Sequence, residues 1–148
     1  MGRSRCRRVA SAILSGGFAV TMLWSTSALA EAPSMCVAAG GEVRHQQGSA
    51  SCDASGTGSV ALAKGDNSLA IAANGDHNRA MAKGLGSQAV ADQGSGNVAT
   101  ATGESSAAIA VNGDGNTATA TGLVSTAIAG DGDGNTATAD GFLSLALA

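Results

Sequence analysis

A repeat with a fixed period of 19 residues runs from residue 59 to residue 148 and constrains the fold more than any other feature of the chain. Each unit holds alanine at the same four places, which in the first unit are Ala61, Ala63, Ala70 and Ala72. Glycine recurs at two further places, and serine and asparagine open the two halves of a unit. A repeat of this kind is typical of a solenoid, in which each unit buries its inner face only against its neighbours.

Two short runs of alternating residues make up each unit, and turns rich in Gly, Asn and Asp separate them. Alternation with period two predicts strands, and the glycine-rich segments predict tight turns. The predicted fold is therefore all-β: a parallel β-solenoid, or β-roll, with five coils and two strands per coil. At a coil spacing of about 4.8 Å, five coils make a rod about 24 Å long. The predicted divisions are a signal peptide over 1–30, a disulfide-bonded cap over 31–58 and the repeats over 59–148.

The direction of the side chains differs between the two predicted strands. Lys64, Lys83 and Arg79 share the variable face of the first strand, so this face is predicted to lie outside, with the alanines inside. The variable face of the second strand is mostly large and apolar, with Gln88 and Asp92 as polar exceptions, and we predict that it points inward. The predicted core ladder consists of Ile71, Val90, Ile109, Ile128 and Leu147.

The first thirty residues have the pattern of a secretory signal peptide. Four arginines precede an apolar stretch over 12–24, and a small-x-small cleavage site ends at Ala30. The apolar stretch is shorter than the roughly 20 residues that span a bilayer. We therefore expect a chain that is secreted or displayed at the cell surface, without a membrane span after cleavage; the Sec and twin-arginine routes both stay open. Cleavage leaves four basic against eleven acidic residues, a net charge of about −7, which disfavours nucleic acid as a partner.

Cys6 is removed with the signal peptide, which leaves Cys36 and Cys52. Two cysteines in an exported chain predict one disulfide. In the chain-entropy treatment, a disulfide that closes a loop of about 15 residues stabilises the folded state by roughly 3 kcal/mol.

The segment Gly65-Asp66-Asn67-Ser68-Leu69-Ala70-Ile71-Ala72 resembles the head repeat of trimeric autotransporter adhesins, whose units read roughly Gly-x-Asn-Ser-x-Ala-Ile-Gly. Weaker copies begin at Ser87, Ser106 and Ser125, so that the resemblance covers residues 59–148. It implies a left-handed parallel β-roll with the apolar residue beside alanine turned inward, a homo-oligomer that is a trimer, and a cell-surface or extracellular ligand. In composition the chain is also similar to small exported actinobacterial proteins without an assigned function.

Motifs for chemistry are sparse. The segment Asp131-Gly132-Asp133-Gly134-Asn135 resembles a calcium loop, but Phe142 stands where an EF-hand needs a bidentate Glu, and tight turns use Gly and Asp for backbone reasons. No metal ligand and no cofactor is predicted. The two histidines, His45 and His77, do not recur, and the repeated serines fall at corners of the coil. Without a converging nucleophile and base, no catalytic residue is assigned and no enzyme is predicted.

A second candidate surface is a regular set of threonines on the first strand of the last three coils. Flat threonine ladders on β-solenoids resemble the ice-binding surfaces of antifreeze proteins, although threonine is also a common strand residue on a solvated face. The predicted Thr array consists of Thr100, Thr102, Thr117, Thr119, Thr121, Thr136 and Thr138.

The function predicted from the sequence is that of an exported structural or adhesin-like module that acts through surface interaction or self-association, without catalysis. Apolar residues on the last coil favour self-association, because open apolar edges pair with other chains. Alternatives are a ligand-binding solenoid, for ice through the Thr array or for calcium at the Gly/Asp turns, and a functional amyloid, which stacked strands of low charge also favour.

Overall fold

The structure, a computed structural model, describes residues 33–148; the predicted signal peptide lies outside the described residues. The described residues belong to one compact unit, Glu31–Ala148, and contain thirteen strands joined by turns. The strands are β1 Met35–Ala39, β2 Glu42–Gln47, β3 Ser51–Asp53, β4 Val60–Lys64, β5 Leu69–Ala72, β6 Arg79–Lys83, β7 Gln88–Asp92, β8 Val98–Thr102, β9 Ala107–Val111, β10 Thr117–Thr121, β11 Thr126–Ala129, β12 Thr136–Asp140 and β13 Leu145–Leu147.

The repeats form two sheets that face each other, and successive strands of the chain alternate between them. A seven-stranded sheet has the order β12-β10-β8-β6-β4-β1-β2, and a six-stranded sheet has the order β13-β11-β9-β7-β5-β3. Within the repeats all pairs are parallel, and each residue pairs with the residue 19 positions along, for example Ala99 with Ala118 and Ala108 with Ala127. The predicted fold class, a parallel β-solenoid with two strands per coil, is confirmed.

The segment before the repeats extends both sheets. Strand β1 pairs antiparallel with β4, β2 pairs antiparallel with β1, and β3 pairs parallel with β5. The disulfide predicted from the cysteine count is present: Cys36 on β1 and Cys52 on β3 are joined, with 5.6 Å between their Cα atoms. It therefore ties the N-terminal strands of the two sheets together.

The interior of the solenoid is made of alanine from both sheets. At the four repeated places between Ala61 and Ala139 the alanines are at most 3% exposed. In the second strand of each coil, the residues between these alanines are half-buried or exposed and face outward. The predicted core ladder of Ile71, Val90, Ile109, Ile128 and Leu147 was therefore wrong, because all five side chains lie on the outer face of the six-stranded sheet.

The physical reason for this reversal lies in the width of the coil. Side chains at both corners also turn inward: Ser68 and Asn78 are at most 1% exposed, and each has the same parity along its strand as the alanines that follow it. Short turns with inward serine and asparagine fix a narrow gap between the sheets, and only methyl groups fill such a gap from both sides at normal packing density. An isoleucine in place of alanine would be too large for this gap.

Two turns per coil keep the stack in register, and their glycines touch the next coil. Gly113, with φ of +152°, is one example. A Cβ atom on it would lie 2.0 Å from the carbonyl oxygen of Gly132 in the next coil. No side chain fits at this distance, so the recurrence of glycine at this turn is a steric requirement of coil stacking.

Candidate interaction surfaces

An asparagine ladder occupies one corner of the solenoid and satisfies backbone groups that the turns leave unpaired. The Nδ2 atom of Asn78 donates to the carbonyl oxygens of Ala73 and Gly94 at 2.9 and 2.8 Å. Its Oδ1 atom accepts from the backbone N–H of Asn97 at 2.9 Å. In the same way, the Oδ1 atom of Asn97 accepts from the backbone N–H of Asn116 at 2.9 Å. These buried asparagine side chains therefore hydrogen-bond along the stack.

The serine corner is bonded differently. The hydroxyl groups of Ser68, Ser87 and Ser106 donate to the glycine carbonyl three residues earlier in the same turn, at 2.7, 3.1 and 3.3 Å. These serines are buried and engaged with backbone, and the two exposed histidines, His45 on β2 and His77 in the turn after β5, lie on different elements. The hydroxyl groups of the other two repeated serines, Ser125 and Ser144, have no hydrogen-bond partner, so that among residues 33–148 no repeated serine is hydrogen-bonded to a histidine.

The acidic turns use their carboxylates to hold neighbouring coils. Asp133 accepts a hydrogen bond from the backbone N–H of Asp114 at 2.8 Å, and Asp114 accepts one from Ser95 at 2.7 Å. Asn112 donates to Asp131 at 3.1 Å. Among residues 33–148, no group of three or more His, Cys, Asp or Glu side chains is arranged to hold a metal ion. The role visible for these aspartates is that of turn acceptors.

The outer face of the seven-stranded sheet carries the Thr array. All seven threonines point outward from the adjacent strands β8, β10 and β12, and they pair in register, for example Thr100 with Thr119 and Thr119 with Thr138. Toward the N-terminal end the same face changes character, because β6 presents Arg79, Met81 and Lys83. A hollow of about 250 Å³ opens there between Arg79 and Met81 and their neighbours on β4 and β8.

The outer face of the six-stranded sheet carries an unbroken line of aliphatic side chains along the stack, which we call the aliphatic ridge. It consists of the same five residues that had been predicted as the core ladder, one on each of β5, β7, β9, β11 and β13: Ile71, Val90, Ile109, Ile128 and Leu147.

Small residues lie on both sides of the ridge. On one side Ala107 precedes Ile109 by two residues, and on the other side Gly130 follows Ile128 by two residues. Next to Gly130 a hollow of about 500 Å³ is lined by Val111, Ile128, Leu147 and neighbouring residues. The ridge therefore rises above its neighbours at these two places, whereas Leu69, Leu145 and Val111 beside it are also large. Sequence reasoning missed this surface because it placed the ridge inside, although Gln88 and Asp92 on the same face were the contrary signal.

Exposed apolar residues continue from the ridge around the serine corner of the last coils. Phe142 and Leu143 are 68% and 64% exposed, and Leu145 on β13 is 66% exposed. The apolar residues of the last coil had been predicted to form an open edge that favours self-association, whereas the apolar face of the second strand, which includes Leu145, had been predicted to point inward; in the structure Phe142, Leu143 and Leu145 are all exposed. Exposed apolar patches of a few hundred Å² mark interaction sites on soluble proteins.

No known protein family, curated protein or solved structure matches the chain. Within the described range, none of the elements is a helix of the length and apolarity that crossing a membrane requires.

Proposed function

We propose that the protein is an exported structural or adhesin-like module, which acts by surface contact or by association with itself and carries out no catalysis. The observation that carries the proposal is the division of side chains between the two sides of the sheets. The first four coils bury their alanines and their corner serines and asparagines, and they present their chemically varied residues on two outer faces. The repeated residues thus build the scaffold, and the outer faces provide the chemistry for binding.

Two further observations support this proposal. The aliphatic ridge gives one face an apolar contact surface, of the kind that marks interaction sites. The Cys36–Cys52 disulfide suits an oxidising compartment, in agreement with the predicted signal peptide. The trimer implied by the resemblance to adhesin heads belongs to the same proposal and is one of the outcomes that the experiment separates.

The experiment that tests surface contact uses oxidised residues 31–148 and two probe surfaces, a methyl-terminated and a hydroxyl-terminated monolayer, on a quartz crystal microbalance. We expect retention on the methyl surface, and we expect Ile109→Lys together with Ile128→Lys to reduce it at least tenfold. Thr119→Lys, on the opposite face, is the matched control and should leave it unchanged. Failure of the chain to bind either surface, combined with a monomeric mass at every concentration, would overturn the proposal.

A second candidate function is binding of ice by the Thr array. The observation that favours it is the in-register pairing of the seven threonines on three adjacent strands, which places hydroxyl and methyl groups at regular intervals of about 4.8 Å along the stack. Thermal hysteresis of the freezing point is the measurement. The ice-binding function predicts a hysteresis that Thr119→Lys abolishes and Ile109→Lys leaves intact; absence of hysteresis in the unmodified chain would contradict it.

A further inference from the structure

The aliphatic ridge lies beside a second row of outward-facing side chains on the same sheet. We call the residues two positions before the ridge residues the flanking column; its members are Leu69, Gln88, Ala107, Thr126 and Leu145. In the middle of the face this column is low, because Ala107 is small, whereas Ile109 beside it is large. The column therefore leaves a recess beside the ridge at Ala107, and its other members, Leu69, Gln88, Thr126 and Leu145, are larger uncharged side chains.

We propose that the outer face of the six-stranded sheet is a homotypic interface, in which the aliphatic ridge of one chain packs on the flanking column of a second copy. This inference rests on the proposed function, since it assigns self-association to one face and one partner. A two-fold axis parallel to the stack, between ridge and flanking column, sets each coil opposite the same coil of the second copy. Ile109 of each chain then lies over Ala107 of the other.

The repeat spacing is the first argument for a second copy as the partner. The ridge places one side chain on every coil, at a coil spacing of about 4.8 Å. A partner that contacts the ridge on every coil must carry side chains at the same spacing over the same length. A second copy has this spacing and length because it contains the same repeats. In a two-fold arrangement the same surface of each copy forms the interface.

The distribution of charge is the second argument. The ridge and the flanking column hold only uncharged side chains from β5 to β13, so that no like charges oppose each other in the pair. Asp92 lies on the far side of the ridge from the flanking column, and the cations Lys64, Arg79 and Lys83 lie on the opposite sheet. A self-association of this face leaves these charges in solvent, and it leaves the Thr array of both copies accessible on the outside.

The size of the face sets the strength of the association. Five coils at about 4.8 Å and a width of five residues give a face of about 24 Å by about 14 Å, on the order of 340 Å² in projection. This area is comparable to the largest apolar patch on a typical soluble monomer. It is smaller than the roughly 800 Å² per partner of a standard stable interface. The pair is therefore a weak, reversible dimer, whose mass depends on protein concentration.

The test is light scattering on oxidised residues 31–148 over a hundredfold range of concentration, with refractive-index detection because this segment contains neither Trp nor Tyr. We expect the weight-average mass to rise from one chain toward two. Ile109→Lys should shift the midpoint to at least tenfold higher concentration. Ile109→Thr keeps a good strand residue at the same place and should give a smaller shift in the same direction. Thr119→Lys on the other sheet is the control and should not move the midpoint.

Circular dichroism and melting of each variant show whether it is folded, and Ile109→Thr is the second variant should Ile109→Lys fail to fold. Three results would overturn the inference: a constant monomeric mass, a mass that rises equally in Ile109→Lys, Ile109→Thr and the unmodified chain, or a closed trimer or growing fibre in place of a dimer. If the chain is a monomer and still binds the methyl-terminated monolayer, the homotypic interface is contradicted but the proposed function is not. A trimer likewise contradicts the homotypic dimer but not the proposed function, because the chain then associates with itself in another arrangement.

Discussion

At the scale of the residue, neighbouring side chains on one strand have opposite roles. Ala108 is fully buried in the interior, and Ile109, the next residue, is half-buried on the aliphatic ridge. Because side chains alternate along a strand, one of these two residues must point into the interior, and in the structure it is the alanine. A large apolar residue is thus placed on the outer surface, where it is available for contacts between molecules and contributes only in part to folding.

The pair of variants Ala108→Asp and Ile109→Asp tests this assignment directly. Ala108→Asp should destabilise the fold by at least about 3 kcal/mol, because it buries an unpaired charge. Ile109→Asp should cost about 1 kcal/mol, the difference in strand propensity on an outer face. Chemical denaturation of both variants measures the two free energies. Placing the isoleucine inside predicts the reverse order, so that a larger loss for Ile109→Asp would contradict the structure.

Two glycines of the same turn allow a second residue-scale prediction. Both have positive φ, +152° at Gly113 and +70° at Gly115, but a Cβ on Gly113 would meet Gly132 whereas one on Gly115 has open space within 4 Å. Gly115→Ala should cost about 1–2 kcal/mol for its left-handed backbone alone.

Gly113→Ala should cost at least about 2 kcal/mol more than Gly115→Ala, because alanine adopts a φ of +152° less readily than one of +70° and because neighbouring coils must also separate. The midpoints of urea unfolding provide the comparison. Equal losses in the two variants would mean that the close approach of the coils at this turn is absent in solution.

At the scale of the element, the turns hold the coils together as much as the strands do. The asparagine ladder links each turn to the next through a buried side-chain oxygen, as between Asn97 and Asn116 at 2.9 Å. In the first coil Ser59 takes the corresponding place: its hydroxyl group accepts from the backbone N–H of Asn78 at 3.1 Å and donates to Gly75 at 3.2 Å. A hydroxyl group therefore fulfils part of the role of the amide.

Removal of one rung of this ladder has a graded effect. Asn97→Ala should destabilise the fold by about 1–3 kcal/mol, because the buried backbone N–H of Asn116 loses its acceptor. Asn97→Ser should recover part of the loss, since serine occupies this place in the first coil. Thr100→Ala, an outward change on the same coil, is the control and should cost less than about 1 kcal/mol. Thermal unfolding followed by circular dichroism ranks the variants, and an Asn97→Ala variant as stable as Thr100→Ala would argue against a structural role of the ladder.

At the scale of the whole molecule, the solenoid is a one-dimensional stack whose coils touch only their neighbours. The disulfide acts at one end of this stack, where it joins β1 to β3. Its stabilising effect can reach the C-terminal coils only through the contacts between each coil and the next.

Reduction of the disulfide should therefore loosen the N-terminal strands first. The expected total loss is roughly 3 kcal/mol, from the chain entropy of a loop of about 15 residues. Hydrogen exchange with and without reductant is the measurement: amides of β1, β3 and β4 should lose protection, while those of β8 to β11 keep theirs. Uniform loss of protection along the whole chain would show that the molecule unfolds as one cooperative unit.

Much of the architecture follows from the sequence alone. The 19-residue period, the two strands per coil, the glycine turns and the Cys36–Cys52 pair were all predicted, because each depends on local geometry or on a repeat that any stack must obey. The predicted outward face of the first strand was also right, since Lys64 and Lys83 cannot be buried without partners.

Only the tertiary structure decided the direction of the second strand, and with it the candidate interaction surface. Alternation of period two gives the two faces of a strand but does not say which of them is inside. Burial of the larger apolar residues is the usual rule, and it favoured Ile109 over Ala108. The rule failed because the gap between the sheets is set by the turns, whose Ser68 and Asn78 side chains point inward. A gap of that width accepts a methyl group from each side, so the isoleucines are turned outward to form the aliphatic ridge.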